Sequence, residues 1–122
     1  MDFTNELVQG MSIEPDNLLA DTNGTSIDFQ DCGPDIQLVA LVGEADGSDA
    51  TFDFHIEESD DESTWTDITS ASTSQVAAAG HSIVTVTTFA RSARYCRAVC
   101  DMGGSSPSAD ISVLLQGRRV SY

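Results

Sequence analysis

From Ser26 to Gln116 the apolar residues recur at every second position, and Gly, Pro, Asp and Ser interrupt them at short intervals. A period of two is the repeat of a half-buried strand, because successive side chains point to opposite sides of the backbone. ATFDFHIEES is the clearest case: Phe52, Phe54 and Ile56 are expected inward, with Asp53, His55 and Glu57 outward. TSIDFQ likewise places Ile27 and Phe29 on one face. DIQLVALVG is almost continuously apolar from Ile36 to Val42, as in a strand covered on both faces or central in a sandwich.

STWTDI resumes the alternation across a short turn, so it forms a hairpin with the strand before it. HSIVTVTTF supplies the β-branched residues of another strand. ARYCRAVCDM sets Arg94, Cys96, Ala98 and Cys100 against Tyr95, Arg97 and Val99, and after the turn GGSSPS the segment ADISVLLQG closes a set of seven. Residues 5–11, NELVQGM, offer one turn of helix, but Gly10 and Pro15 interrupt it. The expected fold is all-β, an antiparallel β-sandwich or small barrel. At 122 residues the chain is one domain's worth. Residues 1–24 read as an extended N-terminal arm ending at the turn Asp21–Gly24, 25–117 as the sandwich, and 118–122 as a basic C-terminal tail.

Twenty carboxylates face five cations, all arginine, for a net charge of −15. The charge is also divided along the chain: residues 1–90 contain acids and no Lys or Arg, while all five arginines fall between Arg91 and Arg119. This balance argues against nucleic acid and against an anionic membrane surface, since both are held by clustered cations. Strong self-repulsion is screened only in concentrated salt, so lysine-free acidity suggests a halophilic host. No apolar run reaches the length of a membrane span, and MDFTNELVQG lacks the basic and apolar regions of a signal peptide.

The stretch FHIEESDDESTWTDI, Phe54 to Ile68, gathers six carboxylates around the single tryptophan. Ser59 to Ser63 is the natural turn, because Asp and Ser bond their own backbone there. Asp60 and Asp61 are the candidate calcium ligands, although the spacing is not that of an EF-hand loop. Trp65 is expected to pack over the sheet, with sugar stacking as the alternative.

His55 and His81 each stand alone, and His55 on a polar strand face reads as a surface histidine. Cys96 and Cys100 share a strand face about 13 Å apart, too far for a disulfide. With Cys32 they are expected as buried free thiols, and no close Cys pair of a structural zinc site occurs. No nucleophile elbow or phosphate loop is present. No enzymatic activity and no cofactor are expected.

F-x-I-E-E-S-D-D-E-S-T-W-T-D-I from Phe54, A-R-Y-C-R-A-V from Ala93 and G-G-S-S-P-S-A-D-I-S-V-L-L from Gly103 together resemble small structural proteins of tailed viruses. Those proteins read ESDDGSTWTDI, RYVRVV and GTSPSxxVSVLL, with an N-terminal NGxxVD that NGTSID from Asn23 resembles. The resemblance runs from Asn23 to Gln116. It departs at Glu62, where glycine is usual, and at Cys96 and Cys100, where valines are usual.

The resemblance implies a jelly-roll-like sandwich acting as a capsid decoration or cement protein on the capsid surface of the virion. The expected partners are the major capsid protein and further copies of the chain, as a homotrimer. Alternatives are a glycan- or calcium-binding module for host adhesion, or a tail or head-tail connector component. Leu7, Val8, Met11, Ile13, Leu18 and Leu19 in the arm, and Arg91, Arg118 and Arg119, are the interface candidates.

Overall fold

The computed structural model describes residues 7–46, 49–73, 75–77, 83–105 and 107–119. Within them the chain forms β1 (Leu7–Leu18), β2 (Thr22–Asn23), β3 (Ile27–Asp28), β4 (Cys32–Asp46), β5 (Thr51–Ser59), β6 (Thr66–Ser72), β7 (Val76–Ala77), β8 (Ile83–Ala90), β9 (Tyr95–Gly103) and β10 (Ser108–Arg119). One sheet has the order β1-β10-β4-β8. The other has the order β2-β9-β5-β6, with β3 also on β9 and β7 also on β5. Every pairing is antiparallel.

Because β2 and β3 both pair with β9, and β6 and β7 both pair with β5, each couple acts as one interrupted strand. With each couple taken as one strand, the chain crosses between sheets at every connection except β5–β6, which interlocks them as a jelly roll.

Alternation puts the core between the sheets. Phe52, Phe54 and Ile56 of β5, Cys96, Ala98 and Cys100 of β9, Ile36, Leu38 and Ala40 of β4, and Val113 and Leu115 of β10 have no exposed surface, and Phe29 joins them from the β3–β4 connection. Each large apolar side chain so buried contributes roughly 1.5–3 kcal/mol. Cys32, Cys96 and Cys100 are all free and buried, and burial pushes the Cys96 and Cys100 thiols up to about 12.

The segment expected as an arm, 1–24, is over residues 7–18 an edge strand of this chain's own sheet, paired with β10 from Leu7↔Arg118 to Leu18↔Ala109. Ile13 and Leu18 are therefore core residues, and Val8 packs against the core. Two register shifts, between Met11 and Ile13 and between Ile13 and Asp16, explain why no period of two was visible there: they turn both Ser12 and Ile13 inward. The basic tail likewise begins inside β10, which ends at Arg119. Residues 1–6 and 120–122 lie outside the described residues.

The outer faces of the two sheets differ in chemistry. On the six-stranded sheet β5 presents Asp53, His55 and Glu57, and β9 presents Arg97 and Asp101. On the four-stranded sheet two rows run straight across the strands in register: Gln9–Gln116–Gln37–Thr88 and Met11–Leu114–Val39–Val86. Neither row holds a charge.

Ser12 ties the sheets together at one corner. Its buried hydroxyl donates to the Thr25 carbonyl and accepts from the Ala98 amide, both at 2.8 Å, while its own carbonyl accepts from Thr25 N at 2.6 Å. Gly24 N donates to the Ala98 carbonyl at 2.7 Å in the same corner. A side chain at Gly24 would press to 2.7 Å from the Ser12 carbonyl and 2.9 Å from that of Ala98, so only glycine fits. Ser12→Ala strands a buried amide and a carbonyl and is expected to lower the unfolding free energy by about 1–3 kcal/mol. Urea denaturation measures this, and an unchanged midpoint would remove the clasp from the account.

Candidate functional site

The acidic turn between β5 and β6 is held by its own side chains. Ser59 Oγ accepts from the amides of Asp61 at 3.2 Å and Glu62 at 2.9 Å and donates to Asp61 Oδ1 at 2.9 Å. That carboxylate oxygen also accepts from the amides of Ser63 and Thr64, each at 2.9 Å. The Thr64 and Ser63 amides and the Ser59 hydroxyl hold the Asp61 carboxyl below its usual range. Glu62 takes φ +60°, the left-handed conformation that glycine adopts without cost. Its carboxylate accepts from Ser26 Oγ.

Neighbouring acids grip the loop between β8 and β9. Glu58 accepts from Ser92 N and Ser92 Oγ at 2.8 Å and from Ala93 N at 3.0 Å, and Asp60 accepts from Arg94 N at 3.3 Å. Partial burial raises the Glu58 carboxyl, but the hydrogen bonds from Ser92 and Ala93, with Arg91 nearby, outweigh it and leave the group lowered. Between turn and loop lies an open groove of about 420 Å³, lined by Glu58, Asp60, Asp61, Thr64, Thr66 and Ser92 among others. The candidate calcium ligands are thus both engaged: Asp61 builds the turn and Asp60 binds the Arg94 amide.

The outer face of the six-stranded sheet carries a charged network that sequence distance concealed. His55 Nε2 lies 3.5 Å from Asp67 Oδ1 and its Nδ1 3.2 Å from Asp101 Oδ2. Arg97 pairs with Glu57 through Nη2 at 2.7 Å and Nε at 2.8 Å, directly across the β5–β9 register, and its guanidinium lies 4.2 Å over the Trp65 ring. Trp65 packs over the sheet in this way. His55, Glu57 and Asp67 bring potential ligand atoms within 4.8 Å of one another, with Glu57 already taken by Arg97. His81 lies outside the described residues.

The arginines find carboxylates and carbonyls within the chain. Arg91 donates to the carbonyls of Gly33 at 3.2 Å, Ala93 at 2.9 Å and Cys32, closing the β4 entrance against the β8–β9 loop. Arg94 forks onto Asp28 at 2.8 and 3.0 Å, lies 4.9 Å over the Tyr95 ring, and holds the Asp28 carboxyl low. Arg118 and Arg119 are exposed at the end of β10. Leu7 and Leu19 are exposed, at 58% and 69%, and Met11 is half-buried on the neutral face.

Two outcomes follow from the turn. Glu58→Gln keeps one acceptor and sets an amide against the Ser92 and Ala93 donors, so it is expected to cost about 1–2 kcal/mol at pH 7. Because the folded carboxyl titrates below the unfolded one, this difference is complete above about pH 5 and closes as pH falls through the usual carboxylate value of about 4.3 and below. Melting curves of both proteins across that range check it. Glu62→Gly relieves the left-handed backbone and is expected to raise stability by up to about 1 kcal/mol, less the contribution of its exposed bond to Ser26, which calorimetry reads.

No protein-family model matches the sequence, and no curated protein matches it. Among solved structures the fold is similar to a chain described as "Crystal structure of PBSX exported protein XepA", with a TM-score of 0.61 and 22% identity over 94% of this chain. This chain spans 38% of that chain's length, so the likeness is to part of it. The antiparallel jelly-roll sandwich is the property the two share.

Proposed function

We propose that this chain is a structural component of a tailed virus, a decoration or cement protein that binds the outside of the major capsid protein lattice and stabilises the shell. The observation that carries this reading is that its three virus-like motifs fall on adjacent parts of one sandwich. ESDDESTWTDI is the β5–β6 hairpin, ARYCRAV runs into β9, and GGSSPSADISVLL is the turn into β10. Further support comes from the fold's likeness to the PBSX exported protein XepA.

The carboxylates point the same way. Glu58, Asp60 and Asp61 bind backbone amides, and Glu57 binds Arg97, so these groups fasten loops and strands where an acid-base site would need one of them aimed at a substrate. We read the protein as non-enzymatic and its role as adhesive. The absence of lysine and the net charge of −15 fit a halophilic host, whose salt screens the repulsion.

A second reading, host adhesion through a bound glycan, is favoured by the open groove of about 420 Å³ with its hydroxyls and carboxylates. One set of experiments separates the two. Purified chain should co-sediment with viral shells, and shells stripped of it should rupture at lower temperature or higher dilution of salt. Shells that neither bind the chain nor lose resistance without it would overturn the decoration role, and saturable glycan binding abolished by Thr66→Trp, which fills the groove, would put adhesion in its place.

A further inference from the structure

We propose that the neutral outer face of the four-stranded sheet is the surface on which two copies of this chain meet, face to face about a two-fold axis. In a protein with twenty carboxylates, most surfaces of two copies repel each other. The outer face of the six-stranded sheet would set Asp53, Asp67 and Asp101 against their own images. The two rows across β1, β10, β4 and β8 carry no ionisable group, and among the described residues acids flank them at Asp35, at Asp110 and, on the β1 edge, at Glu14 and Asp16.

The face is also apolar where a contact needs it. Met11, Leu114, Val39 and Val86 lie side by side in register, Leu41 follows in the next row, and Val86 and Leu41 are 52% and 46% exposed. This is the outward half of the run Ile36–Val42, whose inward half fills the core. The row beside it is made of glutamines, with Gln116 donating to Gln37. Amides both donate and accept, so such a row is complementary to itself, as an isologous contact requires.

Charge selects the orientation. On β10, Asp110 and Arg118 stand four residues to either side of Leu114. An axis in the plane of the face, crossing β10 at Leu114, stacks the strands antiparallel and sets Asp110 of one copy opposite Arg118 of the other, twice. The neutral area, four strands at about 4.8 Å spacing by two outward rows about 6.8 Å apart, is roughly 260 Å². That is the size of an apolar interface centre with a charged rim around it, within a standard footprint of about 800 Å² per partner.

This inference rests on the face alone and stands or falls apart from the capsid reading. Sedimentation of the full chain across protein and salt concentration tests it. The wild type is expected to form a dimer that tightens in concentrated salt as the net repulsion is screened. Val86→Glu and Leu41→Glu, at half-exposed positions that leave the melting curve in place, should each weaken it at least about tenfold, since each buries an unpaired charge in the contact. Thr66→Glu on β6 should not. Asp110→Arg should weaken the dimer, and adding Arg118→Asp should restore it.

A monomer at every concentration, or an assembly that neither glutamate disturbs, overturns the proposal. A three-fold assembly, the stoichiometry implied by the virus-protein resemblance, also overturns the two-fold, because a closed ring of three joins two different patches.

Discussion

The structure depends on the apposition of two inner sheet faces. Phe52, Phe54 and Ile56 on β5 meet Ile36, Leu38 and Leu115 across the sandwich, and Phe29 closes one end. Everything polar is arranged around that contact. Strands alternate because each must give one face to the core, and the outward residues are then free to differ between the sheets. The corner at Ser12 shows how close the layers come where a strand crosses over: a hydroxyl, two carbonyls and two amides leave no room for a side chain at Gly24.

Acidity in this protein does structural work before any functional work. Asp16, Asp21, Asp28, Asp49, Glu58, Asp60 and Asp61 all accept hydrogen bonds from backbone amides at turns and connections. A carboxylate so placed satisfies donors that no ladder pairs, and it needs no cation beside it. The few arginines then go where fork geometry matters: Arg94 onto Asp28, Arg97 onto Glu57, and Arg91 onto three carbonyls. Of the two candidate calcium ligands, Asp61 braces the hairpin turn from within, and Asp60, with Glu58, grips the neighbouring loop.

What sequence alone disclosed follows the same division. Regular strands were legible: β5 with Phe52, Phe54 and Ile56 inward, β9 with Cys96, Ala98 and Cys100 inward, and the central position of Ile36–Val42. β1 was not, because its two bulges shift the alternation and its partner β10 lies about a hundred residues away. The Arg97–Glu57 pair and the placing of His55 between Asp67 and Asp101 were hidden for a related reason. They follow from which strands are neighbours, and local periodicity carries no information about that. The neutral face was half visible, since the continuous apolar run in β4 announced that its outer side differs from that of β5, but the alignment of four strands into rows needed the register.

The three cysteine thiols are all buried. Oxidation and thiol exchange proceed through the thiolate, and the two on β9 sit where burial suppresses ionisation up to about 12. No bridge between them is required for the sandwich to hold. The same folded body therefore keeps its strength in reducing and in oxidising surroundings alike, without remaking a single covalent bond.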